Sequence, residues 1–194
     1  HLHPAQHAGY FPGSVQMALI VHIRAHDGLV LGAQAVGKEG VDKRIDVLAT
    51  AIRAGLTAEE LIDLDLAYAP PYGSAKDPVN MAGMVGSNVI DGTLTLWYAE
   101  QLPNLQDCYL VDVRTPAEYA SGHIPGVPNI PHTELRHRIE EVREAAAGRP
   151  VRVLCQSGVR SHIAHRVLVG AGFDSASMSG GMLTLLDVLG ADFL

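Results

Sequence analysis

The sequence predicts two globular units: an α+β unit with an antiparallel sheet and helices, then an α/β unit with a mostly parallel sheet. Three observations lead to this fold class. In the first half, two apolar, β-compatible runs flank the pair Asp27-Gly28, which favours a hairpin. In the second half, short apolar strand patterns alternate with helical patterns. All three lysines, Lys38, Lys43 and Lys76, lie in the first half, so the composition changes along the chain.

The composition excludes several classes of protein. Of 194 residues, 47% are hydrophobic, which is too many for a disordered chain. The formal charge of -7 and the lack of a dense basic run argue against nucleic acid or an anionic membrane as partner. No apolar run is long enough to span a bilayer, and the first residues lack a secretory signal pattern. Two cysteines, Cys108 and Cys155, make no disulfide framework, so we expect a cytoplasmic, reduced protein.

The first half is predicted to contain a hairpin and three helices. Residues 16–24 and 29–36 form its strands. Apolar residues recur at intervals of three and four from residue 41 to residue 52, which is typical of an amphipathic helix, and Gly55 ends it. Thr57 and Glu60 form a capping box for a short helix through residue 64. Asp77 then caps a helix that runs to about residue 89.

Five residues of the first half do not follow from this pattern of elements. His1, His3 and His7 have the spacing of a metal site, but they are more typical of a terminal loop, and we expect no metal. Tyr10 and Tyr68 lie next to turn residues, so core periodicity does not explain them. Packing at the surface and a functional role both remain open for the two tyrosines.

The second half is predicted to alternate strands with helices. Strands are expected at residues 110–113 and 151–155, and helices after Thr115, at residues 135–148 and at residues 160–171. The Gly-rich segment before Pro103 predicts a linker at residues 91–102. The two domains are therefore expected at residues 1–90 and 103–194.

A cysteine follows the second of these strands, at the edge of the sheet where α/β proteins place their sites. The loop after it could turn its backbone N–H groups inward and stabilise a thiolate or an anionic adduct, with Arg160 at its rim. A buried structural cysteine is the alternative. Four residues separate Cys155 from Arg160, one fewer than in the Cys-x5-Arg loop of cysteine phosphatases, so the loop suits one sulfur atom. The candidate loop comprises Cys155, Gln156, Ser157, Gly158, Val159, Arg160 and Ser161.

The first half resembles a known dimerisation domain. The stretch LGAQAVGKEGVDKRIDVLATAIRAGLTAEELIDLDLAYAPPYGSAKDPVNMAG is similar to the C-terminal domain of coenzyme A disulfide reductases, which are FAD- and NAD(P)H-dependent pyridine nucleotide-disulfide oxidoreductases. The similarity extends over about residues 5–90. It implies a homodimer in which this domain closes over the partner subunit's flavin-cysteine site. By their positions in HAGYFPG and LAYAPPYG, Tyr10 and Tyr68 would reach toward the partner's redox cysteine, where a phenol can donate a hydrogen bond to sulfur.

The chain also departs from that family. It has no G-x-G-x-x-G loop after a predicted strand, and it lacks the family's N-terminal redox cysteine. We therefore expect no cofactor to be bound by this chain alone, and we expect it to be the C-terminal part of a longer flavoenzyme. FAD, NAD(P)H and coenzyme A are implied for that parent.

The second half is similar to the rhodanese family of sulfurtransferases over about residues 103–194. The motifs are LVDVRTPAEYASGHIPGVPNIP and VRVLCQSGVRSHIAHRVLVGAGF. This resemblance implies that Cys155 carries a sulfane sulfur as a persulfide, which the loop amides stabilise. The partners implied are a sulfur donor and a thiol acceptor, such as coenzyme A persulfide, polysulfide or thiosulfate. Asp112, Arg114, Glu118 and His123 match family positions that support the loop.

Alternatives remain open for several of these residues. Asp112 could serve hydrogen bonding rather than proton transfer, and His123 could organise its loop rather than act as a base. Cys108 is interpreted as a core residue, with a resolving thiol as the alternative. His162 and His165 could bind metal only with partners that the sequence does not identify. For the whole chain, the alternatives are a non-catalytic dimerisation module that binds anions or senses oxidants and, less favoured, a cysteine phosphatase.

Overall fold

The computed structural model describes residues 1–191; residues 192–194, which end the predicted second domain, lie outside the described residues. The chain divides into two compact units, His1–Thr93 and Leu94–Leu194, called here the first and second units. Within the described residues, no helix has both the length and the apolar character needed to cross a membrane.

The first unit contains the predicted hairpin and three helices. Strands β1 (Met17–Ile23) and β2 (Val30–Gly37) pair antiparallel around Asp27-Gly28, which confirms the antiparallel sheet. Helices α1 (Val41–Ala54), α2 (Ala58–Ile62) and α3 (Pro78–Ile90) follow. The capping box of Thr57 and Glu60 is present, and the Asp77 side chain accepts a hydrogen bond from Val79 N at the start of α3. The core between sheet and helices includes Leu19, Val30, Leu48, Leu61 and Val79.

A buried ion pair fixes the first unit at one point. Arg44 on α1 and Asp77 before α3 are joined by an Nη2 to Oδ2 contact of 2.7 Å, and both side chains are nearly inaccessible. Arg44 Nη2 also donates to Gln6 O at 2.6 Å, and its Nη1 donates to Gly40 O at 3.1 Å. One guanidinium therefore links the N-terminal segment, α1 and the start of α3.

The second unit contains a parallel sheet of four strands in the order β3-β6-β5-β4. The strands are β3 (Leu96–Trp97), β4 (Tyr109–Asp112), β5 (Val151–Leu154) and β6 (Ser175–Met178). The helices are α4 (Pro116–Ala120), α5 (Ile139–Ala146), α6 (Val159–Gly170) and α7 (Gly181–Leu189), with 3-10 turns at Ala99–Asn104 and Leu135–Arg138. The sheet lies between two buried clusters, one around Val111, Val153 and Leu168 and one around Trp97, Met178 and Leu185. The predicted parallel α/β architecture is confirmed.

Several elements differ from the prediction. Residues 91–102, predicted as a linker, include β3, which pairs with β6 in the sheet and buries Trp97. A strand of two residues shows no periodicity, so no local pattern predicts it. β6 is also absent from the prediction, because its residues Ser-Ala-Ser-Met are weakly apolar although all four are buried. The helix predicted at residues 135–148 is divided into a 3-10 turn and α5.

Candidate active site

Cys155 lies where β5 ends, at the carboxyl edge of the parallel sheet. β5 is an inner strand, between β6 and β4, so its carboxyl end is flanked by the loops after both neighbours. The chain turns at Gly158, whose φ of +102° is a conformation that other residues rarely adopt, and α6 begins at Val159. The predicted order of strand, loop and helix is therefore present around the cysteine.

The loop closes around the cysteine sulfur. Cys155 is 1% exposed, and its Sγ accepts a hydrogen bond from the Gly158 amide at 3.2 Å. Ser161 Oγ lies 3.4 Å from the same Sγ and donates to Gly158 O at 3.1 Å. Ser177 Oγ, on β6, donates to Ser161 Oγ at 2.9 Å. The sulfur thus has a backbone amide and a hydroxyl as hydrogen-bonding neighbours, and the hydroxyl is bonded to a second serine.

The start of α7 is hydrogen-bonded to the backbone of the cysteine loop. Met182 N donates to Cys155 O at 2.8 Å, and Leu183 N donates to Gln156 O at 3.1 Å. Gly181 has a φ of +65°, and a Cβ at this position would lie 2.5 Å from Cys155 O. Only glycine therefore allows α7 to approach the loop this closely. The Gly180-Gly181 pair is visible in the sequence, but its contact with the cysteine is not.

The Arg160 guanidinium does not stand free at the rim of the loop but is bonded to Glu118 of α4. Its Nη1 and Nη2 donate to the two carboxylate oxygens, each at 2.7 Å. Thr115 Oγ1 donates to the same carboxylate at 2.7 Å, as the capping box predicts. The guanidinium, helped by Thr115 and opposed by desolvation, lowers the pKa of Glu118 to about 2. In turn, Glu118 and then the neighbouring Cys155 raise the pKa of Arg160.

Asp112 and Arg114 form a buried pair beside the loop. Arg114 Nη2 contacts Asp112 Oδ2 at 2.7 Å, and the Arg114 amide donates to Asp112 Oδ1 at 2.9 Å. The guanidinium also donates to Gly122 O at 2.7 Å and to Gln156 Oε1 at 3.4 Å. The pair therefore connects the turn after β4, the loop around residue 122 and the cysteine loop, while Asp112 itself bonds to its own turn.

His123 is bonded within the loop that contains it. Its Nδ1 lies 3.0 Å from Tyr119 O, and its ring stacks on Tyr119 with centroids 3.8 Å apart. Tyr119 in turn donates its hydroxyl to Val127 O at 2.6 Å. In residues 1–191, no hydrogen bond joins His123 to the cysteine loop.

The remaining candidates lie apart from the sulfur. Cys108 is half-buried and lines a cleft with Tyr109 and Arg149 that includes no residue of the cysteine loop. His162 lines another cleft beside Arg166, and burial followed by Arg166 lowers its pKa. His165 is 2% exposed and accepts a hydrogen bond from Thr95 N at 3.3 Å.

No group of three or more histidine, cysteine and acidic side chains in the described part of the chain is arranged to hold a metal ion. This finding includes the N-terminal histidines His1, His3 and His7. His7 is 6% exposed, and its Nδ1 lies 3.1 Å from Ala8 O.

In the first unit, the structure brings together the two tyrosines that the sequence left unexplained. The hydroxyls of Tyr10 and Tyr68, 58 residues apart in the chain, lie 3.0 Å from each other. Both side chains are exposed, at 76% and 51%. The hydrogen bond with Tyr68 is the main cause that raises the pKa of Tyr10 above its usual value.

Comparison with known proteins finds a match for each half of the chain. Residues 4–78 match the family model for the pyridine nucleotide-disulphide oxidoreductase dimerisation domain. Residues 96–185 match the model for the rhodanese-like domain. A coenzyme A disulfide reductase of Staphylococcus haemolyticus is 50% identical over 82 residues, which are 42% of this chain and 19% of the relative. One from Staphylococcus aureus is 51% identical over 77 residues, 40% of this chain and 18% of the relative.

Two solved structures resemble almost the whole chain. The reduced CoADR-RHD of Bacillus anthracis is 41% identical with a TM-score of 0.92, and the match covers 97% of this chain and 34% of that one. An NAD-dependent persulfide reductase from A. fulgidus is 38% identical with a TM-score of 0.83, over 93% of this chain and 32% of that one. The chain thus spans about a fifth of the length of the curated relatives it matches and about a third of these two structures.

Proposed function

Because the chain joins an oxidoreductase dimerisation domain to a rhodanese-like domain, we propose that it transfers sulfane sulfur through a persulfide on Cys155. One observation carries this proposal. The Gly158 amide donates directly to Cys155 Sγ, inside a loop that turns at Gly158 with a positive φ. Such a loop can stabilise negative charge on sulfur through a backbone N–H group.

Two displacements at sulfur complete the reaction. The Cys155 thiolate attacks the outer sulfur of a donor such as thiosulfate; the new S–S bond forms, the donor's S–S bond breaks, and sulfite leaves with the bonding electrons. An acceptor thiolate then attacks the outer sulfur of the persulfide. The Cys155–S bond breaks, the acceptor becomes the persulfide, and Cys155 returns as a thiolate. No net oxidant or reductant is needed.

The surrounding residues favour the anionic sulfur in each step. The Gly158 amide and the Ser161 hydroxyl face Sγ, and the Arg160 guanidinium adds a positive charge near it. Asp112 and Arg114 support the loop through Gln156. We assign these residues to positioning and charge stabilisation rather than to proton transfer.

The position of Arg160 supports sulfur transfer over phosphate hydrolysis. A phosphatase arginine presents its two terminal nitrogens to the phosphate, whereas here both nitrogens already donate to Glu118. The chain should therefore transfer sulfur from thiosulfate to a thiol and hydrolyse no aryl phosphate. A non-catalytic anion-binding module would do neither.

The test compares the chain with Cys155→Ser and Cys108→Ser. After incubation with thiosulfate, intact-protein mass spectrometry should find the mass of one added sulfur in the parent and in Cys108→Ser, and none in Cys155→Ser. Sulfite release should follow the same order. Persulfide formation that is unchanged in Cys155→Ser would overturn the proposal.

For the first unit, we propose homodimerisation. Three exposed aromatic side chains, Tyr10, Tyr68 and Tyr72, occupy neighbouring loops, and exposed tyrosines are typical of protein interfaces. In a dimer of the longer protein, the hydrogen-bonded pair Tyr10–Tyr68 would face the partner's redox cysteine. Analytical ultracentrifugation of this chain should give a dimer mass, and a monomer at all concentrations would contradict the proposal for this chain.

The residues present do not fit FAD or NAD(P)H. These cofactors bind at a glycine-rich turn between a strand and a helix, and the chain contains no G-x-G-x-x-G sequence. The turn after β5 instead encloses the Cys155 sulfur. We therefore propose that FAD and NAD(P)H are held by other domains of a coenzyme A disulfide reductase-like parent, with coenzyme A persulfide or polysulfide as sulfur partner. Because the reaction requires Cys155 as a free thiol, we place the protein in the reducing cytoplasm.

A further inference from the structure

Ser177, a buried serine on β6, has no role in the reaction described above. Ser177 is 1% exposed, and within the described residues its hydroxyl makes a single hydrogen bond, to Ser161 Oγ at 2.9 Å. Ser161 is itself fully buried. We propose that Ser177 is a positioning residue for Cys155, which prepares the Ser161 hydroxyl to donate to the thiolate and to the inner sulfur of the persulfide.

The Ser161 hydroxyl has three polar neighbours. They are Gly158 O at 3.1 Å, Cys155 Sγ at 3.4 Å and Ser177 Oγ at 2.9 Å. A serine hydroxyl has one hydrogen to donate and two lone pairs to accept with. With Cys155 as a thiol, Ser161 donates to Gly158 O and accepts from both Ser177 and the thiol.

Ionisation of Cys155 changes this arrangement. The thiol proton leaves to solvent, so the sulfur becomes an acceptor only. The Ser161 hydrogen then turns from Gly158 O to Sγ, while Ser177 continues to donate to Ser161 Oγ. A hydroxyl that accepts one hydrogen bond is polarised and becomes a better donor, so Ser177 strengthens the bond that Ser161 gives to the anion.

Other charged and titratable groups also face the loop. Arg160 on α6 interacts with the thiol and is paired with Glu118 of α4, and Arg114 reaches Gln156 from the Asp112 pair. Both histidines of α6 have other surroundings, His162 in its cleft and His165 at Thr95 N. A change at Ser177 alters none of these groups directly, so its effect on the thiolate can be separated from theirs.

The same strand supplies a matched control. Ser175 lies two residues before Ser177, so the two side chains leave β6 on the same face. Ser175 is also buried, at 4% exposure, and its hydroxyl has no hydrogen-bond partner in the described structure. Ser175→Ala and Ser177→Ala therefore remove the same atom from the same face of one strand, and only the second breaks a hydrogen bond to Ser161.

The experiment is a pH titration of thiolate absorbance in the full chain, with the Cys155→Ser spectrum subtracted. Ser177→Ala should lower the ratio of thiolate to thiol at Cys155 by about three- to tenfold at a given pH, the effect of one neutral hydrogen bond, because Ser177 bonds to Ser161 and not to the sulfur. Ser175→Ala should leave the titration unchanged, and Ser177→Thr, which keeps the hydroxyl, should restore it. In a Ser161→Ala background, Ser177→Ala should have no further effect, because Ser177 acts through Ser161.

Three outcomes would overturn the inference: an unchanged titration in Ser177→Ala, an equal shift in Ser175→Ala, or a full additional shift in the Ser161→Ala background. The role of Ser177 in catalysis rests on the proposed sulfur transfer, but its effect on the Cys155 titration does not. If thiosulfate leaves no sulfur on the parent chain and the titration still responds to Ser177→Ala, the proposed function is wrong while the effect of Ser177 on Cys155 through Ser161 is confirmed.

Discussion

Two buried arginine–aspartate pairs, one in each unit, are alike in geometry and differ in what they connect. Arg44–Asp77 and Arg114–Asp112 have the same 2.7 Å contact, and all four side chains are almost completely buried. The first pair joins residues 33 apart, and its other hydrogen bonds go to backbone groups of the same unit. The second joins residues only two apart and extends to Gln156 in the cysteine loop.

Burial alone therefore does not assign a role to an ion pair. A pair between distant segments stabilises the fold, because breaking it leaves an uncompensated charge and releases a long stretch of chain. A pair within one turn restrains only a short stretch of chain. Its importance therefore lies in the further residue that it positions, here Gln156. We therefore expect substitutions in the first unit to alter stability and equivalent substitutions in the second unit to alter sulfur transfer as well.

The largest effect is expected for Arg44→Ala. It leaves Asp77 buried without its partner, so the first unit should lose about 3–5 kcal/mol of stability. Hydrogen exchange of β1, β2 and α1 amides should measure this loss. The control is Arg24→Ala, which breaks the exposed Arg24–Asp27 pair and should cost about 1 kcal/mol or less. If both variants lost the same stability, burial of the ion pair would not explain its contribution.

Gly181→Ala should have the next largest effect, in the second unit. The new Cβ would meet Cys155 O in a backbone conformation that alanine adopts at a cost, so we expect a loss of about 2–3 kcal/mol and much slower sulfur transfer. Fluorescence of Trp97, the single tryptophan of the chain, reports unfolding of this unit. Gly172→Ala, just after the end of α6, is a control in the same unit, because Gly172 has a positive φ of +86° but open space around it. It should cost about 1 kcal/mol and leave transfer unchanged.

The same substitution can be made in both buried pairs. Asp77→Asn and Asp112→Asn each keep the shape of the side chain and remove its charge, so each should cost its own unit about 2 kcal/mol. Only Asp112→Asn should also slow persulfide formation on Cys155, because Arg114 then holds Gln156 less firmly. Stability is measured by hydrogen exchange in the first unit and by Trp97 fluorescence in the second, and activity is measured by sulfite release. A similar loss of activity in both variants would break the distinction between the units.

The smallest effect concerns the partly exposed pair Glu118–Arg160 and its pH dependence. The guanidinium depresses the pKa of Glu118 from 4.5 to about 2, so the pair stabilises the folded protein above pH 4.5 and this contribution is lost as the pH falls toward 2. Glu118→Gln retains the capping box but not the charge, and should cost about 1 kcal/mol or less at pH 7.

That cost should shrink as the pH falls toward 2, as followed by Trp97 fluorescence in denaturant. The exposed Glu144→Gln, which removes no ion pair in the described residues, is the control. A cost for Glu118→Gln that stays constant down to the lowest pH would show that the charge has no part in it.

Much of the fold follows from short-range patterns. The hairpin at Asp27-Gly28, the capping boxes at Thr57 and Thr115, and the order of strand, loop and helix around Cys155 are all predicted, because each depends on residues within a few positions of one another. β3 and β6 are missed for the opposite reason. Their few residues carry no periodic signal, and they become strands only because neighbouring strands offer hydrogen bonds and burial.

The candidate site likewise combines features that depend on nearby residues with contacts between distant residues. The Cys155 loop, its spacing from Arg160 and the motif residues around it can be read directly from the order of amino acids. Three contacts became visible only in the folded chain: Arg160 binds Glu118, 42 residues away, Gly181 packs against Cys155 O, and Ser177 bonds to Ser161. These contacts join groups that the sheet brings together, and a contact between distant segments leaves no pattern in the local sequence.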